Sequence, residues 1–237
     1  MDDNFHDNKV IVCVYPEAGR LVVQRPHRCR DGLPDTASYR GRYRASTREV
    51  ACSRARTHMS DFAVANHLDA FVTLSYRNEM TAGQAEHELR KLMKRFRRHC
   101  PGQPWVAVTE RGAKNSRLHH HMMFSSAVTR KEVVSLWDLG YIRYGFRPTA
   151  KDIRASAYYM AKRFDRPVTY HRYQISRHGI RPQMQRFEVD VDDLESFIDS
   201  VSIGDRERPW YPTHDQPWFD KIEFWEPETY KNPEKIF

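Results

Sequence analysis

The chain has no run of 18 apolar residues, so nothing in it is long and apolar enough for a membrane-spanning helix. Cysteine is scarce. Cys13, Cys29, Cys52 and Cys100 lie far apart and form no C-x-x-C pair. That spacing argues against a disulfide framework or a structural zinc knot and fits a reducing cytoplasm. The opening MDDNFHDNK is acidic and polar, unlike the basic and then apolar start of a secretory signal peptide. No G-x-x-x-x-G-K-[ST] occurs, which excludes an attached P-loop helicase. Internal repeats and low-complexity runs are also missing. Aromatics at 12% and apolar residues at 40% exclude wholesale disorder, although the mean hydropathy is −0.79.

What is present is charge, unevenly spread over 237 residues. The formal net charge of +8 is the remainder of two opposed segments. Residues 188–237 hold 14 acids and 5 bases, a net −9, and residues 1–187 carry +17. Ten arginines fall in residues 20–60 against only Asp31, Asp35 and Glu49. A basic body of this kind suits a polyanionic partner. The asymmetry suggests an extension over 1–45, a body over 46–187 and an acidic, aromatic-rich segment over 188–237.

Hydrophobic periodicity then orders the body. Val10, Val12 and Val14 alternate, Pro16–Gly19 turns, and Leu21 and Val23 continue an N-terminal hairpin. Residues 25–45 read as loop, and a helix is expected over Thr47–His67. Phe71–Tyr76 is rich in strand formers. Thr81-x-x-Gln84 is a capping box that opens a helix to about His99, and Pro101-Gly102 ends it. Trp105–Glu110 and Leu118–Phe124 read as two strands. Thr129-x-x-Glu132 caps a helix expected to stop at Gly140, Tyr141–Arg147 is a short strand, and Pro148 and Thr149 start a helix to about Phe164. The order predicts an α+β fold: a central antiparallel sheet of split βαβ, ferredoxin-like topology with helices packed on it.

The densest chemistry is Arg117-Leu118-His119-His120-His121-Met122-Met123-Phe124. Alternate residues of a strand share a face, so His119 and His121 point together and His120 points away. Two such imidazoles can meet one cation at about 2.0–2.2 Å. Glu110 ends the preceding strand, and an antiparallel hairpin would bring it beside them as a third ligand. The helix after Pro148 carries Tyr158-Tyr159-Met160-Ala161-Lys162. Tyr159 and Lys162 are three apart and share a face, and Tyr158 and Lys162, four apart, can also meet. A tyrosine with an ordinary pKa near about 10 is a poor nucleophile at neutral pH. A nearby ammonium and a metal-held phosphate lessen that difficulty.

Taken together, these segments resemble the HUH endonucleases, and among them the replication initiators (Rep proteins) of rolling-circle replicons in bacterial single-stranded DNA phages and related plasmids. The resemblance spans roughly 45–185. Phe71–Tyr76 is similar to the family's first motif, Glu110-Arg111-Gly112 with Arg117–His121 to the second, and Tyr159-Met160-Ala161-Lys162 to the third. It implies that Glu110, His119 and His121 bind magnesium or manganese, and that Tyr159 attacks a phosphate of single-stranded DNA, forming a 5′-phosphotyrosine and freeing a 3′-hydroxyl. Lys162 would neutralise charge. Some relatives have a second tyrosine directly after the lysine, where this chain has Arg163, so it resembles a single-tyrosine version with Tyr158 as the alternative nucleophile.

The expected partner is therefore single-stranded DNA at a replication origin, in the cytoplasm of a bacterial host that supplies helicase and polymerase. Arg90, Lys94, Arg97, Arg98 and Arg117 are candidates to track its phosphates. Trp210, Tyr211, Trp218, Phe219, Phe224, Trp225, Tyr230 and Phe237 are interleaved with acids and prolines. They suit a packed tail, or else an arm that competes with DNA. Other readings are an HUH-type transposase or relaxase, and a non-catalytic single-strand-binding module, which would want exposed aromatics on its strands.

Overall fold

A computed structural model of the chain describes residues 9–24, 47–112, 116–165, 167–169, 171–201 and 221–225. It is α+β and divides into two compact units, one of residues 45–181 and one of residues 1–44 with 182–237.

The unit over 45–181 is built on a five-stranded sheet in the order β6-β3-β5-β4-β7, every neighbouring pair antiparallel. Its elements follow the chain as α1 (Thr47–Ala65), β3 (Ala70–Tyr76), α2 (Ala82–His99), β4 (Trp105–Arg111), β5 (Leu118–Phe124), α3 (Arg130–Leu136), β6 (Gly140–Phe146), α4 (Ala150–Met160) and β7 (Gln174–Ile175). β3-α2-β4 and β5-α3-β6 are the two interleaved split βαβ halves of the ferredoxin-like arrangement expected from the sequence. Both capping boxes form: the Thr81 and Thr129 hydroxyls accept from the amides of Gln84 and Glu132, whose side chains accept in return from the cap amides.

Alternation along the strands sorts the side chains onto two faces. Val72, Leu74, Leu118, Met122 and Phe124 face one way and pack with Leu89, Leu92, Met93 and Phe96 of α2 and with Val133 and Leu136 of α3. Val106, Val108 and Met123 face the other way, against Met59, Phe62 and Ala63 of α1 and Ile153, Ala157 and Met160 of α4. The sheet is therefore covered on both sides, and the pair α1/α4 is the one that closes over the odd-numbered histidines of β5.

Two helix ends differ from the sequence expectation. α3 stops at Leu136, not Gly140, because Trp137 is already extended and buries its ring in the core. α4 ends at Met160, not Phe164. Ala161 leaves helical geometry, and the Lys162 amide bonds back to the Tyr159 carbonyl at 3.3 Å in a tighter turn.

The other unit is a four-stranded antiparallel sheet. The expected N-terminal hairpin is β1 (Lys9–Tyr15) and β2 (Arg20–Gln24), joined through Pro16–Ala18 and Gly19, whose φ of 54° suits glycine. β8 (Gln185–Asp190) pairs with β1 and β9 (Lys221–Trp225) with β2, giving the order β8-β1-β2-β9. The short α5 (Leu194–Ser200) sets Ile198 against Val10, Val12, Val14, Leu21 and Val23. Residue 188, where the charge changes sign in the sequence, falls inside β8, and the two terminal segments that the sequence treats separately share this sheet. The expected loop at 25–45, Cys29 and the aromatic side chains of residues 210–237 lie outside the described residues. Cys13, Cys52 and Cys100 are free thiols, all buried.

Candidate metal centre and its tyrosine

Antiparallel register brings the second motif together. Glu110 on β4 lies directly opposite His119 on β5, and His121 is two residues further along the same face. The result is a tight group: Glu110 Oε1 is 3.0 Å from His119 Nε2 and 3.1 Å from His121 Nε2, and the two Nε2 atoms are 3.2 Å apart. Glu110 and His121 are buried and His119 is partly so.

The outer nitrogens fix what the inner ones can be. His119 Nδ1 lies 3.3 Å from the Arg117 carbonyl, which can only accept, so Nδ1 carries the proton and the neutral ring presents a lone pair at Nε2. His121 Nδ1 sits 3.0 Å from the Thr73 hydroxyl, which can accept in the same way. Two imidazole lone pairs and a carboxylate oxygen then converge on one point. Three acceptors at about 3 Å repel one another unless a cation or a proton lies among them. Glu110 Oε2 is in addition buried without a hydrogen-bond partner. The donor set of two imidazoles and one carboxylate, each oriented by a further contact, therefore fits a divalent transition-metal or magnesium ion.

Electrostatics agree with that fit. Burial alone would raise the Glu110 pKa, but hydrogen bonds with His119, His121 and Lys162 outweigh it and hold the carboxyl well below the usual carboxylate range. Burial is the leading cause that pushes the His121 pKa down, against the opposing pull of Glu110. His121 is thus held in the neutral form that a ligand needs.

The third motif arrives from α4. The Tyr159 ring is edge-on to His121 with centroids 5.4 Å apart, and edge-on to Phe71 at 6.2 Å. Phe71 itself stacks on His121 at 5.3 Å, so one aromatic side chain supports both. Tyr159 is nevertheless 51% exposed, open to a ligand from solvent. Lys162 Nζ lies 3.0 Å from Glu110 Oε1 and 3.6 Å from the centre of the Tyr159 ring. Burial would lower its pKa, and the hydrogen bonds to Tyr159 and Glu110 raise it overall, so the ammonium is kept charged. Tyr158 turns away: its ring faces Arg56 of α1 at 5.9 Å.

The structure therefore gathers Glu110, His119, His121, Tyr159 and Lys162 in one place. It does not bring the helical basic residues there. Arg90, Lys94, Arg97 and Arg98 are exposed on α2, which packs on the opposite face of the sheet. Arg117 precedes β5 on the loop beside the site, and its carbonyl is what orients His119. Thr73 and Phe71 had no assigned role in the sequence. Their alternation on β3, in phase with His119 and His121, is the signal that could have found them. Two recesses flank the group. One, of about 410 Å³, is lined by Glu110, Arg111, Arg163, Phe164 and Arg172. The other, of about 710 Å³, is lined by Arg48, Arg56 and Lys162 together with Glu49 and Asp165.

No curated protein and no solved structure matches the chain. A family model does: the one for the replication-associated protein ORF2 family matches residues 69–167, from the start of β3 to beyond α4. All five side chains of the gathered site fall inside that stretch, and residues 69–167 are a domain of the replication-associated protein ORF2 family.

Proposed function

We propose that this protein nicks and rejoins single-stranded DNA at a replication origin, as an initiator of rolling-circle replication of the single-tyrosine HUH type. The observation that carries the reading is the position of Tyr159 and Lys162 against the Glu110/His119/His121 group. A non-catalytic binding module has no use for an exposed tyrosine and a charged lysine placed against three converging ligands.

Glu110, His119 and His121 would hold magnesium or manganese, and such an ion supplies charge stabilisation at a phosphoryl oxygen. The chain's own groups do the rest. Phe71 and His121 fix the Tyr159 ring so that its hydroxyl meets a phosphate seated beside the group. The Tyr159 oxygen bonds to phosphorus as the bond from phosphorus to the 3′-oxygen breaks. The phenol loses its proton, the departing 3′-oxygen gains one, and a 5′-phosphotyrosine remains. One phosphoester replaces another, so a 3′-hydroxyl can later reverse the step without ATP. Lys162 sets a fixed positive charge next to both the phenol and the phosphate. A host polymerase would extend the freed 3′-end and a host helicase would open the duplex, in the cytoplasm of a bacterium that carries a phage or plasmid replicon.

Incubation with origin-like oligonucleotides and Mg²⁺ or Mn²⁺ tests the reading. The expected product is a covalent protein–DNA adduct, retained in Tyr158→Phe and lost in Tyr159→Phe. An adduct that survives Tyr159→Phe and disappears with Tyr158→Phe moves the nucleophile. No adduct under any metal leaves a binding module.

A further inference from the structure

The row of residues that crosses the sheet at Glu110 does not end at the metal ligands. Glu110 on β4 is in register with His119 on β5, His119 with Ser75 on β3, and Ser75 with Tyr141 on the edge strand β6. The next row on the same face runs His121, Thr73, Arg143. Ile142 and Tyr144, between them on β6, turn to the opposite face and pack against the core there. Tyr141 and Arg143 are thus aimed, by strand alternation, at the face that holds the candidate metal centre.

Tyr141 is 70% exposed, the most exposed large hydrophobic among the described residues. Arg143 is exposed as well. Strands are about 4.8 Å apart, so Tyr141 stands about 10 Å from His119 across the sheet. The residues between, Ser75 and Thr73, are small and hydroxylic and leave a low floor. Gly140 makes the close approach that starts β6: a Cβ there would collide with the Ser75 carbonyl oxygen. An aromatic ring and a guanidinium, side by side on an open sheet face next to a phosphate-handling centre, match a base and a phosphate of one strand.

We infer that Tyr141 is a stacking platform for an unpaired nucleobase flanking the scissile phosphate, with Arg143 as its phosphate contact. The inference rests on the proposed single-strand DNA substrate and names where that strand crosses the sheet. Every base has a π-face, so this contact positions the strand without reading its sequence.

The test is binding of a fluorescein-labelled origin-like single strand by anisotropy, in EDTA. Tyr141→Ala is expected to weaken binding roughly five- to 150-fold, the range of one base–aromatic stack. Tyr141→Phe keeps the ring and stays within about twofold of wild type. An abasic site moved along the strand costs wild type a similar factor at one flanking position, and costs Tyr141→Ala nothing further there. If Tyr141→Ala binds like wild type, the inference is overturned. It is overturned equally by an abasic scan of the unmutated protein in which no single position matters, a result independent of how the variant folds. An identical Tyr141→Ala loss on blunt duplex, whose bases are already stacked, has the same consequence. Because EDTA removes the metal, adduct formation does not enter. A wild-type protein that forms no adduct with Mg²⁺ or Mn²⁺ sinks the nicking mechanism and leaves this result to stand or fall alone.

Discussion

Lys162 Nζ and Glu110 Oε1 are 3.0 Å apart, so the lysine that would serve the phosphate is already paired with the carboxylate that would serve the metal. The two roles pull in opposite directions. An ammonium beside a metal ligand disfavours a second cation there, yet the same charge stabilises a phosphate in transfer. Lys162→Met should therefore bind Mn²⁺ more tightly than wild type and transfer DNA about 10²–10³-fold more slowly. Titration calorimetry and single-turnover adduct formation read the two effects. A lysine needed only for packing would leave metal affinity unchanged.

The three converging acceptors give a metal-removal prediction. An ion that binds only the native state adds about 2.7 kcal/mol of stability at a hundred times its Kd. Mn²⁺ should raise the melting temperature of the wild-type protein, and EDTA should reverse the rise. His119→Ala and His121→Ala should lose that response and all adduct formation while binding single strands nearly as well. Glu110→Gln keeps the shape but removes the charge, and should fall with them. A Mn²⁺ response that survives all three variants would place the ion elsewhere.

Most of the catalytic geometry was legible because it is local. A two-residue period puts His119 and His121 on one face, and a short hairpin sets Glu110 in register with them. A three-residue spacing puts Lys162 beside Tyr159, although the structure achieves it through a turn after α4 and not through a longer helix. What stayed hidden is non-local. That α2 lies across the sheet from Glu110 depends on which face each helix covers, and its charged surface reads the same on either face. Tyr141 was hidden for the same reason, since only the β3–β6 register aligns it with His119. The pairing of β8 with β1 links residues some 180 positions apart, a contact that no sequence window contains.

The position of α2 separates two kinds of phosphate contact. Alanine at Arg90, Lys94, Arg97 and Arg98 should flatten the salt dependence of single-strand binding, by about 0.7 in the log–log slope for each phosphate no longer neutralised. At saturating DNA the rate of adduct formation should stay as in wild type, because α2 packs on the far face from Glu110. An unchanged slope would instead assign the phosphate contacts to the site face, where Arg48 and Arg56 line a recess with Lys162.

His120 gives the pH prediction. It points away from His119 and His121 into the core, with Nε2 2.6 Å from the Tyr76 hydroxyl and Nδ1 2.9 Å from the Thr109 hydroxyl. Burial first, and then the charges of His119 and His121, push its pKa down to about 3 from the ordinary 6.5. Between those values the unfolded chain takes up a proton that the native ring refuses, so stability falls as pH drops from about 6.5 toward about 3. His120→Phe removes that proton uptake. It also leaves the Tyr76 and Thr109 hydroxyls without the imidazole, at a cost of about 1–3 kcal/mol for each buried group left unsatisfied. The variant should therefore unfold more easily than wild type at pH 7, and the gap should narrow as the buffer is taken toward pH 4. Urea unfolding in EDTA at several pH values measures both limbs, and a gap that stays constant with pH would mean that His120 is protonated in the core.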